Sequence, residues 1–194
     1  LDHIDIYQWQ PQENGFDLTL VKRISAGKTP SHIAIDSNST VAYVSLQDSN
    51  QLISIDLHRQ EPRWTIPVGD TPADVFLTPD DKTLLVALTG DSYVEAYDVS
   101  VTPPVLLTRM KTGAGAHAFR AQGDKRHVFV SNRSANTISR IDMQTLTVLD
   151  SYPAPGGPEM PMRRPPTDPP RLGMTGAETS AITTITTMIS ISVK

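Results

Sequence analysis

At 194 residues, with 38% hydrophobic and 20% charged side chains, the chain has an ordinary soluble composition and the length to bury one sizeable core. A formal charge of −4 with no basic stripe argues against nucleic acid as a partner. The absence of cysteine excludes disulfides, thiolate metal sites and a cysteine nucleophile, and no membrane span or lipidation signal is visible.

In chain order, Leu1 to Tyr7 reads as the third strand of a repeat that then recurs. Because Leu1 is not an initiator methionine, this end is expected to be processed or a fragment boundary, inside a blade. The next unit predicts strands over 31–36, 40–46, 51–57 and 63–68, runs of Ile, Val, Tyr and Trp separated by Asp, Ser, Asn, Gly and Pro. A second unit repeats the pattern over 73–78, 83–88, 93–99 and 105–110, and a third over 116–120, 126–131, 136–143 and 146–152. Thr40, Thr83 and Arg126 open equivalent segments at a constant spacing of 43. Pro79-Asp80-Asp81 and Gln122-Gly123-Asp124-Lys125 suit the turn between the first two strands. Asp56, Asp98 and Asp142 end the third strand of each unit and read as turn formers rather than acids.

No stretch has helical periodicity. Four short strands per repeat of this length mean propeller blades. The expected fold is all-β, a partial β-propeller of four-stranded antiparallel blades, three complete and others partial, spanning 1–158 with blades near 31–68, 73–112 and 116–152. A closed propeller needs about four to eight blades, so missing blades or self-association are expected to cover the open arc. Beyond Tyr152-Pro153-Ala154-Pro155-Gly156-Gly157-Pro158, which starts a further blade, the rhythm stops. Residues 159–194 are first rich in Pro, Arg and Met, hence irregular, and then in Thr, Ile and Ser, where 179–193 can pair as a strand or aggregate. A frameshift near Pro158 and a natural linker with its tail both account for this change.

Tyr43-Val44-Ser45 with Asn50, and Phe129-Val130-Ser131-Asn132 with Asn136, resemble the YVTN-type β-propeller repeat over roughly 18–158. The second repeat departs from it, with Val86-Ala87-Leu88 and no Asn. The resemblance implies an extracytoplasmic or surface propeller, so a periplasmic or extracellular location is expected.

In such blades the start of the innermost strand and the end of the second lie at one end. That places His32, Asp74 and His117, read as one repeat position aimed at the channel, on the face that carries Gln47, Asp48, Asp91 and Arg133. Two imidazoles, carboxylates and a guanidinium are suited to an anion or a metal, and Arg133 is the better anion candidate. The plainer reading is that these residues bond neighbouring blades or cap turns. A shared metal ion requires a narrow channel, and neither metal nor cofactor is expected. His3, His58 and His127 have no evident partner, and Trp9, Trp64, Tyr93 and Tyr97 read as packing between blades. Gly113-Ala114-Gly115 enters a strand and so lacks the helix terminus of a phosphate loop.

Two function classes follow. The first is a non-enzymatic binding or scaffold propeller that engages a protein, glycan or small ligand at the channel mouth. The second rests on His127 to Ile138, which is similar to a stretch of 6-phosphogluconolactonase-like propellers. That likeness implies hydrolysis of a sugar lactone, with His117 as base and Arg133 holding an anionic group. A likeness to the haem-carrying propeller of cytochrome-cd-type nitrite reductase would need His32 or His117 as axial ligand.

Overall fold

The structure, a computed structural model, describes residues 2–154 and 187–190. Its chain opens with a long hairpin, His3–Gln12 (β1) and Gly15–Ser25 (β2). Three four-stranded antiparallel sheets follow, each in simple sequence order. The first is Pro30–Ile35 (β3), Val41–Leu46 (β4), Gln51–Asp56 (β5) and Glu61–Pro67 (β6). The second is Pro72–Leu77 (β7), Thr83–Leu88 (β8), Tyr93–Asp98 (β9) and Val105–Lys111 (β10). The third is Ala116–Ala121 (β11), His127–Asn132 (β12), Thr137–Asp142 (β13) and Thr147–Pro153 (β14). Among the described residues no α-helix occurs, and one 3-10 turn covers Gln47–Ser49.

These sheets are the three expected blades, and the hairpin is the outer half of a preceding one. Its identity is fixed by a repeated defect. One extra residue sits in each fourth strand, at Val21, Arg63, Leu107 and Leu149, opposite the same point of the third strand. Thus β1 corresponds to β5, β9 and β13, as the reading of Leu1 to Tyr7 required, although the strand runs on to Gln12. Thr187–Ser190 (β15) adds to the other edge of β1, from Asp5 opposite Ser190 to Gln8 opposite Thr187. One part of the tail therefore does pair as a strand. The rest of 155–194 lies outside the described residues, including 155–158 of the expected fourth blade; Tyr152 and Pro153 belong to β14.

The repeat is not uniform. The first three strands of each blade begin 42 residues apart between the first and second blades and 44 apart between the second and third, whereas the fourth strands begin 44 and then 42 apart. The two extra residues lie in the connection from Asp98 to Val105. Val41, Thr83 and His127 are the true equivalents, because their carbonyls accept from the amides of Asp36, Thr78 and Gln122 in matching turns. The even spacing of Thr40, Thr83 and Arg126 therefore mixes neighbouring positions.

Neighbouring blades bury their facing sides against one another, so the first and second blades are covered on both faces. Ile4, Ile6 and Ile24 pack on Ala42, Val44 and Ile55. Tyr43 and Leu52 pack on Leu84, Val86 and Tyr97. Leu85, Ala87 and Val94 pack on Phe119, Val128 and Ile141. Strand alternation explains this, since successive side chains point to opposite faces. Tyr97 and, beside it, Trp64 and Tyr93 thus pack between blades as expected.

The strand-ending aspartates shape turns. Asp56 accepts from the amides of His58 and Arg59 at 3.0 and 2.8 Å, Asp98 from Ser100 at 2.9 Å, and Asp142 from Gln144 and Thr145 at 2.9 and 3.3 Å. Asn50 and Asn136 take the left-handed conformation, φ 53° and 51°, which suits Asn better than most residues.

Candidate functional site

The innermost strand of every blade is irregular near its start. Pairing with the second strand shifts between Pro30 and Ile33, Pro72 and Val75, and Ala116 and Phe119. The residues inside the shift leave the regular ladder. His32 donates its amide to Ser45 Oγ at 3.1 Å, and Ala118 donates its own to Ser131 Oγ at 3.2 Å. His32, Asp74 and Ala118 are therefore equivalent, and His117 stands one position earlier, with Ser31 and Ala73. The reading of His32, Asp74 and His117 as one repeat position is corrected by this register.

The three side chains nevertheless converge. Asp74 Oδ1 stands 3.2 Å from His32 Nδ1, and Asp74 Oδ2 accepts the Phe119 amide at 2.7 Å. One carboxylate thereby joins the blade before it to the blade after it. The His32 and His117 rings meet edge to face with centroids 5.9 Å apart. The His32 side chain is 36% exposed and that of Asp74 is 16% exposed, so solvent reaches the imidazole while the carboxylate is largely engaged. Asp74 has the blade-joining role of the plainer reading, and the imidazoles retain accessible edges.

The flanking loops are held at the same end. Arg133 follows β12, is exposed, and donates its amide to Gly115 O at 2.8 Å. Gly115 in turn donates to Asp91 O at 3.1 Å. At φ +76° it lies in the left-handed region, and a Cβ there would stand 2.7 Å from the Ser134 amide nitrogen. Asp48 accepts from Thr29 Oγ1 at 2.5 Å, and the Gln47 amide bonds Thr29 O. Asp48 thus fastens a loop. The Gly113–Gly115 segment enters β11, as expected of a strand lead-in. Among the described residues no group of three His, Asp or Glu side chains is arranged to hold a metal ion.

Sequence reasoning missed a second polar cluster, between the first and second blades. Glu95 on β9, its side chain 1% exposed, meets Arg109 Nη2 at 2.6 Å, the Tyr97 hydroxyl at 2.7 Å and the Gly69 amide at 3.1 Å. Burial, then the hydrogen bond to Glu95, pushes the Tyr97 phenol well above its ordinary range. These groups line a peripheral cleft of about 530 Å³ with Ile66, Pro103 and Leu106. The signal was a glutamate two residues before a tyrosine on a buried strand, opposite an arginine. His127 and His3 also have partners, Asp124 at 2.6 Å for the former and Asp2 and Asp5 at 3.6 and 3.8 Å for the latter.

A family model for the YNCE-like beta-propeller matches residues 1–184. Among curated proteins none matches. Several solved structures share the fold. A protein from Lactobacillus plantarum aligns at TM-score 0.66 and 17% identity, covering 79% of this chain and 50% of that one. A candidate 6-phosphogluconolactonase from Bacteroides fragilis aligns at 0.61 and 19%, covering 71% and 44%. The hydrazine synthase of Kuenenia stuttgartiensis aligns at 0.60 and 19%, covering 73% and 39%. The chain spans half or less of the length of these structures, and at such identities the likeness shows the fold alone.

Proposed function

This chain belongs to the YNCE-like beta-propeller family, and from that premise we propose that it is a non-enzymatic binding or scaffold propeller with its site at the channel mouth. The reading is supported by one observation above the others. Side chains from three successive blades converge there, with His32 3.2 Å from Asp74 and its ring 5.9 Å from that of His117. Imidazole edges offer both donors and acceptors, and the exposed Arg133 at the same end supplies a fixed positive charge. A protein, glycan or small ligand carrying hydroxyl and anionic groups suits that set. Among the described residues, Asp74 is held between His32 and the Phe119 amide, which suits a blade-joining carboxylate beside a ligand site. A periplasmic or extracellular location belongs to the same proposal and is checked by cell fractionation.

The lactonase reading is the second one, and it rests on the similarity of His127 to Ile138 to a stretch of 6-phosphogluconolactonase-like propellers. In it, His117 would take a proton from water, the oxygen would add to the lactone carbonyl, and the ring C–O bond would break to give the hydroxy acid. Calorimetric titration with 6-phosphogluconate and a hydrolysis assay on 6-phosphogluconolactone separate the two. Binding without turnover, weakened by His117→Ala with Arg133→Ala, is the expected result. Turnover abolished by the same pair of substitutions would replace the scaffold reading with the enzymatic one.

A further inference from the structure

The Glu95 cluster has a counterpart at the other end of the arc. Counting from the extra residue in each fourth strand, Asp5, Tyr7 and Arg23 occupy the positions of Glu95, Tyr97 and Arg109. The contacts are repeated as well. Arg23 grips Asp5 through Nε and Nη2 at 2.7 and 2.8 Å, and the Tyr7 hydroxyl lies 3.4 Å from Asp5 Oδ2. In the second blade this carboxylate–tyrosine–arginine set faces the first blade, which covers it with Tyr43, Leu52 and Ile66 and donates the Gly69 amide. On β1 and β2 the set lies on the face opposite Ile4 and Ile6, turned away from the first blade. Among the described residues no blade packs there, and β15 pairs edge to edge with β1, widening the sheet.

The opposite end of the arc carries the complement. Phe129, Ile138 and Tyr152 hold the positions of Tyr43, Leu52 and Ile66, by the register of each blade. They lie on the face of the third blade that points away from the second. Tyr152 is 46% exposed, whereas Ile66, which holds its position beneath the second blade, is half-buried. One open face therefore repeats the first blade's covering surface, and the other repeats the charged set that this surface covers.

We propose that these two faces form one interface, in which a second copy of this chain closes head to tail, the third blade of each copy lying on the Asp5–Tyr7–Arg23 face of the other. The blade count is compatible with it. Two copies of the described residues carry six four-stranded blades and two outer hairpins, within the about four to eight blades of a closed propeller. A heterologous contact closes a ring when its rotation is a whole fraction of a turn, and otherwise propagates.

Sedimentation equilibrium of the full chain tests this, with Arg23→Glu and Tyr152→Glu as single-face variants. The expected result is a wild-type dimer and at least tenfold weaker self-association in each variant, with far-UV circular dichroism melts showing that both fold. If Arg23→Glu fails to fold, Tyr7→Asp replaces it. Mixing the two variants leaves one intact pair of faces and restores a dimer. A monomeric wild type would overturn the proposal and leave a further blade or another protein as the occupant. Variants that dimerise like wild type, or mixtures that do not complement, would overturn it too.

Discussion

Arg109→Ala should destabilise the chain far more than an exposed arginine usually does. Its side chain is 51% exposed, but its partner Glu95 is 1% exposed and keeps only the Tyr97 hydroxyl and the Gly69 amide once the guanidinium is gone. A unit pair near 4 Å at an effective dielectric of 20 is worth about 4 kcal/mol, and breaking a buried pair costs about 3–5 kcal/mol. Because half of Arg109 is in water, screening lowers the figure to about 2–3 kcal/mol. For a chain of this size that corresponds to a Tm lower by roughly 4–12 °C. Urea unfolding followed by tryptophan fluorescence reads it directly, since Trp64 packs on the same inter-blade core as Tyr97. Adding Glu95→Gln to the variant should recover about half of the loss, because the amide still accepts from Tyr97 without a buried charge. A loss within about 0.5 kcal/mol of wild type, the size of an ordinary surface substitution, or no recovery in the double variant, would show that solvent rather than Arg109 neutralises Glu95.

Three further outcomes are expected. Asp142→Asn destabilises at neutral pH. Arg126 holds the Asp142 carboxyl down to about 2, so its contribution is present above the ordinary carboxylate pKa and fades as pH falls through about 2; thermal melts of wild type and variant should converge there. Ser45→Ala removes the acceptor of the His32 amide and the donor to Ala73 O at 2.5 Å, at a cost of about 1–2 kcal/mol in denaturant melts, and it shifts the His32 ring resonances. Gly115→Ala forces a Cβ against the Ser134 backbone at positive φ, costing about 1–3 kcal/mol and displacing the Arg133 amide signal; an unchanged spectrum would count against a close-packed mouth.

The strands were legible because each blade face alternates apolar residues with a short turn, and that pattern survives in single residues such as Val44, Val86 and Val130. Position within the repeat was less legible. Two extra residues after Asp98 shifted the count, and the irregular start of β11 moved His117 one place from His32 and Asp74. Convergence of the three could be anticipated from strand direction, whereas the double use of Asp74 could not, because it depends on a backbone amide from the next blade. The Glu95 cluster was missed because a charged residue on a strand is usually solvent-facing; only its recurrence as Asp5 and Tyr7 marks it as built. The polar tail carries no blade-like alternation, so the pairing of Thr187–Ser190 with β1 was open to sequence only as one of two outcomes.

Asp74 also works as a gauge. Its two oxygens reach one residue on each side, and the short side chain fixes how far apart the three innermost strands can stand. His32 and Ala118 hold the same position in the neighbouring blades, so within this arc the reach of the second blade's carboxylate constrains the bore of the channel. Lengthening it by one methylene, as Asp74→Glu would, changes the spacing of the innermost strands together with the His32 contact at the mouth.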